Sequence, residues 1–171
     1  PRVRRQRQMC IRDSFISPTY YDKIDLPKDS PLRDSLKILN PLGEDTSIMR
    51  TTTLPSMLEI LTRNYNFRNK SAKLYELGRV YFKRADGLAD EPKVLTLGAY
   101  GDGMDFFALK GAVEAVLKQL RIENVRFLAD SENPSYHPGR CAKVFSGDRL
   151  LGVLGQIHPH VAGNYLSLIH I

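Results

Sequence analysis

The sequence predicts an α+β fold: an antiparallel sheet flanked by helices. Segments with strand composition outnumber those with helical periodicity. Two of the strand segments, Cys141 to Phe145 and Leu150 to Ile157, flank "SGD", a hairpin turn signal that joins antiparallel neighbours. The clearest helical segment carries a single apolar stripe, which needs a sheet to cover. Together these favour helices laid on one face of an antiparallel sheet over a doubly wound parallel sheet.

Along the chain, Phe15 to Asn40 carries Pro18, Pro27, Pro31 and scattered charges, which predicts extended segments and turns. Within it "SLKILNP" reads as a short strand closed by Asn40-Pro41. Leu54, Met57, Leu58, Leu61 and Tyr65 then recur at helical spacing. Pro55 is tolerable only in a first turn and Thr52 or Thr53 is available as the cap, so a helix is expected over Leu54–Asn66. "KLYELGRVYF" from Lys73 and "PKVLTLGAYG" from Pro92 are rich in aromatic and aliphatic residues and suit half-buried strands, with "RADGLADEP" a polar loop between them. In "DFFALKGAVEAVLKQL", Asp105 caps a helix whose stripe is Phe106, Leu109, Val113, Val116, Leu117 and Leu120. A strand near Val125 to Leu128 precedes the hairpin.

The chain has 171 residues, 42% hydrophobic and 26% charged, which is enough for one domain with its own core. Apolar windows such as Val113 to Leu120 are broken by Glu114, Lys118 and Gln119, so no transmembrane helix is expected and no membrane partner. The net charge of +6 invites a nucleic-acid reading. Its distribution weakens that reading. Residues 1–14 hold Arg2, Arg4, Arg5, Arg7 and Arg12 against Asp13, a net of +4, and 6 − 4 leaves +2 for the rest. With Cys10 in that arm, Cys141 stands alone in the body, which excludes a disulfide framework there and fits a reducing, cytoplasmic setting.

Three of the four histidines fall within "HPGRCAKVFSGDRLLGVLGQIHPH", His137 to His160. A zinc or thiol hydrolase would have to gather His137, Cys141, His158 and His160 around one point. Pro138 and Gly139 make the first pair extended, with roughly 13 Å between His137 and Cys141 along the strand. His158 and His160 could share a strand face, but Pro159 limits that segment to a strand end. The four are expected not to converge, leaving scaffold in which Gly152 and Gly155 allow close backbone approach. "GDGMDFF" leads into a helix and could catch an anion, though turn chemistry explains its glycines as well. Tyr75, Tyr81 and Phe82 could stack on bases, but their alternation suits core positions better.

Five segments, "LNPLGEDTSIMRTTTLPSMLEILTRNYNF", "LYELGRVYF", "DFFALKGAVEAVL", "HPGRCAKV" and "LGVLGQIHPHV", occur in this order and together resemble the beta subunits of bacterial phenylalanyl-tRNA synthetases, in their catalytic-like core module. The resemblance spans about Phe15 to Tyr165. It implies a class II synthetase-like fold inside a larger beta chain, whose partners are the catalytic alpha subunit in a heterotetramer and, through the complete enzyme, tRNA. The family attaches phenylalanine to tRNA using ATP and magnesium, and the active site belongs to the alpha chain, so this module is expected to bind no cofactor or metal itself. Active class II sites place Arg-x-Glu after the phenylalanine ending a motif strand, because a guanidinium clamps phosphate and carboxyl oxygens in a planar fork. Here Phe82 is followed by Lys83, Arg84 and Ala85, and a lysine cannot reproduce that fork. The same resemblance makes "RTTTLPSMLEILTRNYN" the subunit interface, formed by Arg50, Leu54, Met57, Leu58, Leu61 and Tyr65. Their stripe is expected to stay partly exposed in the isolated chain.

The ends differ in character. "RQRQMCIRDS" and "LSLIHI" resemble translated sequencing-adapter sequence, which implies a foreign arm at 1–13, a core module at 14–165 continuing beyond its C-terminal end in the natural gene, and a foreign tail at 166–171.

Overall fold

The computed structural model describes residues 14–85 and 87–166, so the basic arm at 1–13 and residues 167–171 of the tail lie outside the described residues. In chain order the elements are β1 (Phe15–Ile16), α1 (Thr19–Lys23), β2 (Ile48–Met49), α2 (Leu54–Asn66), β3 (Ala72–Arg79), β4 (Phe82–Lys83), β5 (Ala89–Asp90), β6 (Lys93–Tyr100), α3 (Phe106–Gln119), β7 (Val125–Ala129), β8 (Tyr136–Ser146), β9 (Arg149–Ile157) and α4 (Pro159–Leu166). Every strand pairing is antiparallel, as the composition predicts. Among the described residues the pairing falls into separate sets: β1–β2, β3–β6, β4–β5 and the meander β7–β8–β9.

The hairpin at Gly147 and the two long helices lie where their patterns place them. Gly147 takes φ +57, the left-handed conformation a tight turn asks of glycine. Asp105 caps α3, accepting from the amide of Ala108 at 2.7 Å. The stripe of α3 is only half-buried, and Leu120 is exposed. α2 starts differently from expectation. Its N-cap residue Thr53 makes no side-chain cap bond, because the hydroxyl instead meets Thr96 of β6 at 2.5 Å; Thr52 Oγ1 accepts from Leu54 N at 3.4 Å.

Several expectations need correction. The lead-in is not merely extended: it contains α1, whose Tyr21 is buried with Ile16 and Ile48 in a small core. The Tyr21 hydroxyl hydrogen-bonds Ser35 at 2.6 Å and Thr51 at 2.8 Å, so a segment rich in proline and charge is held by a buried polar network. "SLKILNP" is no strand and contributes one isolated bridge, Lys37 to Ile48. "KLYELGRVYF" is broken at Val80, where the backbone leaves β6 and Tyr81 N donates to Arg50 O at 2.9 Å; the polar loop after it holds β5, paired with β4. Finally, His158-Pro159 ends a strand but also starts α4, since proline at a first helical position loses no intrahelical bond.

The main core lies where α1, α2 and α4 meet. Ile24, Leu58, Val161 and Tyr165 are buried together, with Leu26, Leu54 and Ile157 packed against them. α2 is therefore covered on two sides, by β3–β6 on one and by α1 and α4 on the other.

Candidate functional site

The expected interface begins at Arg50, and the structure turns that residue inward. Arg50 is 1% exposed; its Nε donates to Arg79 O at 2.9 Å, and its Nη2 meets Glu76 Oε1 at 2.5 Å. The pair leaves no room beside β3, since a Cβ at Gly78 would collide with both side chains. The partnership had no local signal, because Glu76 lies 26 residues further along the chain.

Along α2 the apolar stripe divides. Met57 and Leu61 lie over Gly98 of β6, where an added Cβ would sit 2.7 Å from Met57 Sδ and 2.9 Å from Leu61 Cδ1. Leu58 and Leu54 face the core shared with α1 and α4. Met57 and Leu58 are thus buried within this chain, Leu54 and Leu61 are half-buried, and Tyr65 is 54% exposed, its ring edge-on to Tyr100 at 5.9 Å. The sheet alone does not satisfy the stripe, as the sequence predicts. What the sequence missed is that α1 and α4 take up most of the remainder. The apolar surface left at this end is Tyr65 together with Ile60 and Phe67, two residues the spacing argument did not select.

At the position of the expected phosphate clamp, Lys83 ends β4 and forms an ion pair with Asp34 of the lead-in. The turn that follows is closed by Arg84 N donating to Leu88 O at 3.1 Å, and Ala85 offers no carboxylate. The arginine and the glutamate of the expected clamp are thus replaced at both positions, by a lysine and an alanine.

His158 and His160 touch each other, while His137 and Cys141 make other contacts. His137 Nδ1 accepts from Gly139 N at 3.1 Å, and His158 Nδ1 accepts from His160 N at 3.2 Å. His160 Nδ1 meets Asp25 Oδ2 at 2.6 Å. Cys141 is buried in β8 opposite Gly155, and burial, reinforced by the nearby Asp130 charge, pushes its thiol up to about 11. Such a thiol is the reverse of an activated nucleophile. Among the described residues no group of three or more His, Cys, Asp or Glu side chains is placed to hold a metal ion. Gly155 does allow close approach, with Tyr136 Cδ1 at 2.8 Å from its added Cβ, whereas Gly152 has open space. Gly101 and Gly103 sit at φ +119 and +75, so turn conformation accounts for them.

The model of the phenylalanyl tRNA synthetase beta chain CLM domain matches residues 8–166. The chain belongs to that family. It is 47% identical over 157 residues to the phenylalanine–tRNA ligase beta subunit of Clostridium tetani, covering 91% of this chain and 20% of that protein. The beta subunit of Moorella thermoacetica is 40% identical over 161 residues, covering 88% of this chain and 20% of that one. The chain therefore spans about a fifth of the length of the curated relatives it matches. Among solved structures, the pyrrolysyl-tRNA synthetase of Desulfitobacterium hafniense superposes with a TM-score of 0.67 at 19% identity, covering 90% of this chain and 54% of that one. The class II synthetase-like α+β fold is thus the fold of this chain. No helix among the described residues is long and apolar enough to cross a membrane.

Proposed function

We infer that this chain is a non-catalytic, structural module of the beta subunit of phenylalanine–tRNA ligase, and that it packs against the catalytic alpha subunit. The complete enzyme, cytoplasmic and heterotetrameric, joins phenylalanine to tRNA with ATP and magnesium, and the chemistry resides in the alpha chain. The observation that carries this reading is the state of the clamp position: Lys83 tied to Asp34, and Ala85 in place of an acid. The geometry supports an alpha contact at the outer end of α2. There Leu61 and Tyr65 from the expected set lie on the same helical turns as the exposed Ile60 and Phe67, while Met57 and Leu58 are buried beneath and Arg50 bonds Ser56 of the helix. An apolar patch of this kind suits an obligate interface, which resembles a domain core cut in two.

Tyr65→Asp separates assembly from folding better than Leu61→Asp, because Leu61 also packs on Gly98. Placed in the complete beta chain and coexpressed with the alpha subunit, Tyr65→Asp should lower the yield of heterotetramer on sizing while the beta chain stays folded. An undiminished heterotetramer would move the interface elsewhere. Phenylalanine-dependent ATP–pyrophosphate exchange by this chain alone, abolished by Lys83→Ala, would overturn the silent reading.

A further inference from the structure

The end of α1 is held by side chains from distant parts of the chain. A helix leaves its last carbonyls without intrahelical partners, and here Lys23 O accepts from Asn164 Nδ2 at 2.9 Å while Ile24 O accepts from the buried Ser135 Oγ at 2.6 Å. Asp25 follows, with a left-handed backbone at φ +54, and its Oδ2 meets His160 Nδ1 at 2.6 Å. Three consecutive residues are thus gripped by α4 and by Ser135, 111 to 141 positions further on. His158 N in turn donates to Ser135 O at 3.0 Å, which joins the grip to the start of α4.

Neither helix stands alone. α1 has five residues and α4 eight, below the roughly 12–15 that an isolated helix needs in water. Each supplies part of one core: Ile24 from the end of α1, Val161 and Tyr165 from α4, closing on Leu58 of α2. Departure of either helix uncovers that core and leaves polar groups on the other side without partners, so opening one opens both. The sheets carry no such dependence, because β3–β6 and β8–β9 are closed by their own backbone ladders.

We propose that α1 and α4 form a two-piece strap across the side of α2 away from β3–β6, which opens and closes as one unit through the clasp at Lys23, Ile24 and Asp25, and that the closed strap holds α2 seated for the alpha-subunit contact. The seating role rests on the reading of α2 given above. Leu58 lies in the shared core, Leu54 packs against it, and Tyr20 Oη donates to Glu59 Oε1 at 3.0 Å, so the strap grips α2 by both apolar and polar contacts.

The test uses the complete heterotetramer and hydrogen exchange read by mass spectrometry. In the unaltered enzyme, peptides from α1 and α4 should show equal protection, lower than that of β8–β9. Ser135→Ala strands Ile24 O and should speed exchange about tenfold in both helices, with β8–β9 changed by less than about twofold. Asn164→Ala, at a half-buried contact, is the milder variant and should shift both helices together by a smaller factor. On dilution the Ser135→Ala heterotetramer should dissociate at a several-fold higher concentration than the unaltered enzyme. Faster exchange in one helix without the other, or an equal rise in β8–β9 with both variants, would overturn the strap. A coupled strap with unaltered assembly, where Tyr65→Asp does weaken assembly, would overturn its role in seating α2. Assembly indifferent to both Ser135→Ala and Tyr65→Asp would overturn the alpha contact and the seating role with it, while the exchange pattern still decides the strap.

Discussion

Arg50, fully buried, and Glu76, half-buried, form an ion pair, Nη2 to Oε1 at 2.5 Å, that ties the segment before α2 to the middle of β3. Glu76 Oε2 is also buried and has no other partner. Removing the arginine therefore strands a carboxylate. Arg50→Leu is expected to cost about 3–5 kcal/mol, read as a lower urea midpoint. The double variant with Glu76→Leu should recover part of that loss, since it leaves no unpaired charge behind. Additive losses in the double variant would mean the two groups do not act as a pair.

Gly98 lies under Met57 and Leu61 with no space for a side chain. Gly98→Val should lift α2 from β6 and cost about 1–3 kcal/mol, the usual range for overpacking. Thermal unfolding measures the loss. Gly152→Val, at a glycine with open space beside it, serves as the control and should change stability much less.

Cys141 gives stability a pH dependence. Its thiol is raised from 9.0 to about 11 in the folded chain, so the folded state holds the proton more tightly than the unfolded state. The contribution is complete below about pH 9 and is lost as pH rises toward 11, each unit of separation being worth about 1.4 kcal/mol. Unfolding curves should show stability falling across that window, and Cys141→Ala should flatten the slope. A slope unchanged by the substitution would remove Cys141 as its source.

Lys83 and Asp34 are both substantially exposed, so their ion pair should contribute under about 1 kcal/mol. Lys83→Ala in the complete heterotetramer is accordingly expected to leave aminoacylation rates unaltered. A fall in kcat with assembly intact would show that this position takes part in the chemistry after all.

Local chemistry was legible in the sequence. The bounds of α2, the Asp105 cap of α3, the turn at Gly147 and the antiparallel pairing of β8 with β9 all follow from periodicity, capping and turn residues acting within a few positions of one another. So was the family, because five segments in register carry more information than any one of them. The tertiary structure decided what those elements face. α1 was hidden because its stability comes from Tyr21 reaching Ser35 and Thr51, residues 14 and 30 positions away. Arg50 read as a surface residue until Glu76 and the bare backbone at Gly78 made room for it inside. The stripe of α2 read as partly exposed until α1 and α4 folded over it, and the open side of β3–β6 read as ordinary alternation. Spacing along a chain states which side chains share a face. Only the packing of distant segments determines whether that face is covered, because burial is a property of what arrives from elsewhere.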